Sequence, residues 1–185
     1  MKRGEELDKL YLRMAHIWAE NSYAVRRKVG CLIVKDRMII SDGYNGTPEG
    51  FDNICEDVIG CKQNLNNEDW NPKRKCCKII IPSKGAPIKK VFNCYQHPEC
   101  KWAITKTKPY VLHAEANAIT KLAKSSQSSI GATLYCTDEP CIECSKLIIQ
   151  AGISRVVYHN EYHSHEGVEL LKESHIVVDR VENLD

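Results

Sequence analysis

Two short segments constrain this chain most: His113-Ala114-Glu115 and, after 24 intervening residues, Pro140-Cys141-Ile142-Glu143-Cys144. Cys141 and Cys144 stand three apart, a spacing that puts both sulfurs on one face of the first turn of a helix. Pro140 suits such a start and Gly152 lies just past the end, so residues 141–150 read as a helix. The positive end of that helix and any bound cation both favour thiolates there. His113 opens a second run of strong helix formers, His-Ala-Glu-Ala-Asn-Ala-Ile-Thr-Lys-Leu-Ala-Lys. One imidazole and two thiolates make a three-ligand zinc site with an open fourth position, the catalytic arrangement rather than the structural one. Water bound there is activated near neutral pH, and Glu115, two residues from His113, reaches it without ligating the metal. A lone Cys-x-x-Cys also serves as a redox pair, and a lone His-x-Glu says little. Taken together, the two segments require a fold in which two helix starts meet.

The rest of the chain supplies the elements for such a fold. Leu7, Leu10, Tyr11, Met14, Ile17 and Trp18 recur at three- and four-residue spacing and predict one apolar stripe on a helix of about four turns. Val29 to Val34 and Met38 to Ile40 read as antiparallel strands around a tight turn at Lys35-Asp36-Arg37. Gly43 to Gly50, with three Gly and a Pro, reads as a shaped loop of the kind that lines sites. Ala132 to Thr137, Arg155 to Tyr158 and Ile176 to Val181 read as strands, with a short helix at Gly167 to Glu173. This order predicts an α/β domain of about five strands with helices on both faces. Residues 51–108 show no such pattern, and a structureless loop of that length requires something to tie it down. Six cysteines (Cys55, Cys61, Cys76, Cys77, Cys94 and Cys100) and His97 lie within it.

Composition narrows the function. A length of 185 residues suits one domain, here 1–185 with 51–108 as a Cys-rich insertion. Lys and Arg number 26 against 24 Asp and Glu, so no global field draws the chain to nucleic acid or an anionic membrane. The basic run Lys73-Arg74-Lys75, with Lys78 and Trp70, falls short of a basic-aromatic platform and reads as a solvated face. The start, Met1-Lys2-Arg3-Gly4-Glu5-Glu6, lacks the apolar segment of a signal peptide, which predicts a cytoplasmic protein. In a reducing compartment ten cysteines mean metal more often than disulfide.

The resemblance extends well past the metal motif. Val-Gly-Cys-Leu-Ile-Val at 29–34, Gly-Tyr-Asn-Gly-Thr-Pro at 43–48, Leu-His-Ala-Glu-Ala-Asn-Ala-Ile at 112–119, Leu-Tyr-Cys-Thr at 134–137, Pro-Cys-Ile-Glu-Cys-Ser-Lys-Leu-Ile-Ile-Gln-Ala-Gly-Ile at 140–153 and Tyr162 resemble, in order, the deoxycytidylate (dCMP) deaminases of the zinc-dependent cytidine deaminase superfamily. The resemblance implies a three-layer α/β/α fold around a five-stranded mixed sheet, in a homo-oligomer, often a hexamer. It implies zinc held by His113, Cys141 and Cys144, attack of the activated water on C4 of the cytosine ring, and proton relay by Glu115 to N3 and then to the departing amino group. The product dUMP would feed thymidylate synthesis.

Further roles follow from the same resemblance. Asn45 and Tyr162 fall where relatives contact substrate; Arg26, with Arg27 beside it, is the candidate for the 5′-phosphate on position instead, because net charge supplies no cation and these two stand just before the first strand. Gly43, Tyr44 and Gly46 fall in a motif associated with regulation by dCTP with Mg²⁺ (activating) and by dTTP (inhibiting). Cys55, Cys61, His97 and Cys100 resemble a second, structural zinc site of the closed Cys₃His type. Three classes therefore compete: a dCMP deaminase, a nucleic-acid base deaminase acting on tRNA adenosine or single-strand cytidine, and a zinc-binding module without catalysis. Near-neutral net charge and the 43–48 and Tyr162 segments favour the free nucleotide, and Glu115 disfavours the inert module, which needs no unligated carboxylate there.

Overall fold

The computed structural model describes residues 3–61, 77–81, 88–92 and 103–185. The elements in chain order are α1 (Arg3–Ala19), β1 (Gly30–Lys35), β2 (Met38–Tyr44), β3 (Glu56–Cys61), β4 (Cys77–Ile81), β5 (Ile88–Phe92), β6 (Ala103–Thr107), α2 (Ala114–Leu122), β7 (Thr133–Asp138), α3 (Ile142–Gln150), β8 (Arg155–Asn160), α4 (Glu166–Glu173) and β9 (Val177–Arg180). Five strands form one sheet in the order β2-β1-β7-β8-β9. The first three neighbours run antiparallel and the last three parallel, so the sheet is mixed, as expected. The β1–β2 turn is a two-residue connection, Lys35 pairing with Met38 and both Asp36 and Arg37 at positive φ, which matches the right-handed twist of the strands. The parallel pairs need crossover helices, and α3 and α4 supply them.

Alternation along β1 sorts the core into two layers. Cys31 and Ile33 join Leu134, Cys136 and Val156 under Ala114, Ala118 and Leu122 of α2, Ile148 of α3 and Leu171 of α4. Leu32 and Val34 face the other way, with Tyr135 and Val157, onto Tyr11, Leu12 and Ala15 of α1. Helices thus cover both faces, giving the three-layer α/β/α cytidine deaminase-like fold.

Two expectations change. The face of α1 that meets the sheet carries Asp8, Tyr11, Leu12, Ala15 and Ala19, whereas Leu10, Met14, Ile17 and Trp18 of the predicted stripe stay exposed. Small residues at 15 and 19 let the helix lie close on the sheet, and a reading weighted towards large apolar side chains turns the helix the wrong way. The second change is in residues 51–108, where two antiparallel pairs form, β3 with β6 and β4 with β5. Ile79-Ile80-Ile81 carried the β-branched signal for one of them. Cys76, Cys94, His97, Cys100, Trp70 and Lys73-Arg74-Lys75 lie outside the described residues. No helix among the described residues is long and apolar enough to cross a membrane.

Candidate active site

The starts of α2 and α3 meet beside the C-terminal end of β7, the side of an α/β sheet where ligand crevices form. His113 is the N-cap of α2 and Cys141 the N-cap of α3, both with extended backbone. The Nδ1 atom of His113 lies 3.5 Å from the Cys141 sulfur and 3.4 Å from the Cys144 sulfur. Among the described residues these three form a group able to hold a metal ion, their donor atoms all within 4.8 Å of one another. A tetrahedral zinc bonded to sulfur at about 2.3 Å and to nitrogen at about 2.0 Å sets such ligand atoms about 3.5 Å apart. The donor set and its spacing therefore fit zinc. The cluster also favours a thiolate, since hydrogen bonds from Cys144 and His113 pull the Cys141 thiol well below its ordinary range.

Glu115 lies in the first turn of α2, almost fully buried beside this cluster. Burial pushes its carboxyl up to about 7, against the opposing pull of its own backbone N–H, His113 and the Cys144 thiol. A group titrating there is suited to both giving and taking a proton near neutral pH.

The cluster opens into a cleft of about 340 Å³. His113, Glu115 and Cys141 line it, and so do Arg26, Asn45 and Tyr162, so the structure brings these expected residues to one cavity. Asn45 is held tightly: its Nδ2 donates to the Arg27 carbonyl and its Oδ1 accepts from the Val29 N–H, both at 2.8 Å. One amide hydrogen and one lone pair remain for a ligand. Val29 and Val111 supply apolar wall, and Arg26 reaches Thr107 Oγ1 at 3.5 Å. Arg27 also lines the cleft and forms an ion pair with the nearly buried Asp138. Sequence reasoning missed Glu139 and His163 on the same walls. Their signals were position alone, Glu139 directly before Pro140-Cys141 and His163 directly after Tyr162.

The remaining expected residues lie elsewhere. Tyr44 and Gly46 line a second cleft of about 290 Å³ with Thr47, Asn53 and Asn117. Gly43 is the penultimate residue of β2 rather than part of a loop, and a Cβ there would lie 2.2 Å from the Ala114 carbonyl oxygen. Close packing of α2 on β2 thus accounts for Gly43, which lines neither cleft. Cys55 is buried on the wall of the second cleft. Of its expected companions, Cys61 is described only as the last residue of β3, and His97 and Cys100 fall outside the described residues.

Residues 5–160 match the family model of the cytidine and deoxycytidylate deaminase zinc-binding region. The chain is 34% identical over 154 residues to the deoxycytidylate deaminase of Mycobacterium phage D29, covering 83% of this chain and 94% of that protein. It is 30% identical over 172 residues to the deoxycytidylate deaminase of Saccharomyces cerevisiae, covering 92% of this chain but only 43% of the longer yeast protein. The crystal structure of dCMP deaminase from the cyanophage S-TIM5, in complex with dCMP and dUMP, superposes with a TM-score of 0.68 at 32% identity, covering 98% of this chain and 99% of that one. Sequence, fold and cleft agree on a single grouping, and this chain belongs to the zinc-binding family of cytidine and deoxycytidylate deaminases.

Proposed function

We propose that this chain hydrolyses dCMP to dUMP and ammonia, in a single deaminase domain spanning 1–185 with 51–108 inserted. The observation that carries the reading is the convergence of His113, Cys141, Glu115, Asn45, Tyr162 and Arg26 on one cleft. Zinc held by His113, Cys141 and Cys144 supplies Lewis acidity that makes water nucleophilic near neutral pH. Glu115 takes one proton from the attacking water and delivers it to N3 so that C4 becomes electrophilic; it then carries the remaining proton of that oxygen to the amino group, which leaves as ammonia as the C4 carbonyl forms. Val29 and Val111 flank the base, Asn45 and Tyr162 hold the nucleoside, and Arg26 with Arg27 supplies charge-assisted donors for the 5′-phosphate.

The second cleft supports regulation by dCTP with Mg²⁺ and by dTTP at Tyr44 and Gly46. Gly46 and Leu112 exchange backbone hydrogen bonds of 3.1 and 2.8 Å, and Asn117 of α2 donates to the Tyr44 carbonyl, so that loop is tied directly to the residue before His113. The exposed Leu10, Met14, Ile17 and Trp18 on α1 support self-association into a hexamer. Buried Cys55 and, at the end of β3, Cys61 are the described members of a second zinc site with His97 and Cys100. Cysteine usage supports a cytoplasmic enzyme supplying dUMP for thymidylate synthesis.

The deciding experiment compares deamination of dCMP, dCTP, deoxycytidine and a tRNA anticodon stem, with and without dCTP as effector. Preference for dCMP is expected, and preference for the tRNA overturns the reading. A velocity curve indifferent to dCTP and dTTP removes the regulatory role, and one zinc per chain rather than two removes the second metal. Glu115→Gln keeps its zinc and loses turnover.

A further inference from the structure

Glu139 has a side chain with no exposure, although burying a carboxylate is costly unless its oxygens are hydrogen-bonded. Its partners are not in the metal cluster two residues away. Oε2 accepts the backbone N–H of Tyr162 at 3.1 Å, and Oε1 lies 2.9 Å from Nδ1 of His165, whose ring is mostly exposed. Both partners belong to the turn between β8 and α4, which carries Tyr162 and His163 to the cleft wall. The backbone reinforces the same junction: the Glu139 N–H donates to the Asn160 carbonyl at 2.9 Å. At the far end of the turn, a Cβ on Gly167 would lie 2.1 Å from the Pro140 carbonyl oxygen, so the start of α4 rests on the start of α3. The hydrogen bond with Glu139, and then the charge of its carboxylate, raise the proton affinity of His165 above that of a free imidazole.

We infer that Glu139 is a positioning residue for nucleotide binding, its buried carboxylate gripping Tyr162 and His165 so that the 161–165 turn stands over the cleft. The inference rests on the reading of that cleft as the dCMP site. Because the grip acts on a turn that touches substrate and not on the metal cluster or Glu115, its loss falls on KM rather than on kcat. A residue needed only for folding has no reason to respect that division.

The test is steady-state kinetics on the zinc-loaded protein with dCMP, combined with zinc analysis of each variant. Glu139→Ala raises KM about tenfold, with kcat within about twofold and zinc content unchanged. Glu139→Gln keeps an acceptor for the Tyr162 N–H and a donor for His165, and restores KM to within about threefold of wild type. In the double-mutant cycle with Tyr162→Ala, the double variant is no worse than the worse single variant. Should Glu139→Ala not fold, His165→Ala runs the same cycle from the exposed end of the contact. Additive effects, an unchanged KM, or a kcat that falls with zinc content each overturn the positioning role while leaving dCMP turnover intact. Absence of dCMP turnover by the wild type overturns the nucleotide reading itself, and this role with it.

Discussion

A Cβ added to Gly30 would lie 2.1 Å from the carbonyl oxygen of Ala15, so α1 rests backbone to backbone on the first residue of β1. The same added carbon would lie 2.8 Å from the Ala19 nitrogen, and neither atom belongs to a side chain that can swing away. Gly30→Ala therefore forces α1 off the sheet and lowers the unfolding free energy by about 3 kcal/mol, the upper range for overpacking. Gly4, on the same helix with open space around it, is the control: Gly4→Ala is neutral or slightly stabilising. Urea denaturation of both variants checks the pair, and equal effects would show that the contact is not rigid.

This contact also explains where sequence reasoning stopped. The five strands of the main sheet and the four helices were legible, α1 from its hydrophobic period, α2 from its run of helix formers, α3 from Pro140 and Gly152 at its ends, and the first two strands from their β-branched and apolar runs. The rotation of α1 was not, since Ala15, Ala19 and Gly30 carry their information in missing volume, which a hydrophobic pattern does not weigh. In the cleft, His113, Glu115, Cys141 and Cys144 were legible because metal chemistry fixes both residue type and spacing. Asn45 was legible as a cleft residue, but its grip on Arg27 and Val29 was not, because those partners come together only through the fold. Glu139 was hidden by the same cause, its partners being a backbone N–H and a ring more than twenty residues away.

Metal removal should reach stability as well as activity. An ion that binds the folded chain and not the unfolded one adds about 4 kcal/mol when its free concentration is a thousandfold above Kd. A chelator is expected to lower the thermal midpoint of the wild type, and added zinc to restore it. Cys144→Ser, which replaces a thiolate by a poor zinc ligand at the most buried position of the cluster, shows a smaller difference between chelated and zinc-loaded samples, the remainder belonging to the proposed second site. A zinc-dependent shift as large in Cys144→Ser as in the wild type would locate the stabilising ion elsewhere.

The Nε2 atom of His16 on α1 lies 2.8 Å from Nδ1 of His159 on β8, a hydrogen bond that needs one ring nitrogen as donor and the other as acceptor. Two imidazolium rings cannot make it. Burial, and then the neighbouring His159, lower the proton affinity of His16, with Asp138 opposing. The folded chain thus takes up this proton at lower pH than the unfolded chain does. The stabilisation is complete above the unfolded histidine range, near pH 6.5, and is lost as pH falls through the folded value. The wild type should lose more stability than His16→Gln on acidification from pH 7.5 to 5.5, read as the difference in urea midpoints. Parallel loss in both proteins would remove the pair from the acid response.

Glu115 joins function to stability. Its burial pushes the carboxyl up to about 7 in the metal-free chain, from an ordinary value of 4.5. The folded metal-free chain therefore binds a proton more tightly than the unfolded chain, and stability falls as pH rises across the window from 4.5 to 7. Above pH 7 the ionised, buried carboxylate costs about 3 kcal/mol. An amide in its place carries no charge and does not titrate. Glu115→Gln, measured in chelator, should be more stable than the metal-free wild type by about that amount at pH 8 and equal to it near pH 4.5. With zinc restored, the same variant should turn over dCMP at least a hundredfold more slowly, since a positioned acid–base group contributes about 10²–10⁴ in rate. A stability gain without the loss of turnover would leave the carboxylate merely strained. Loss of turnover without the gain would mean that the cluster, rather than the apolar surroundings, governs its charge.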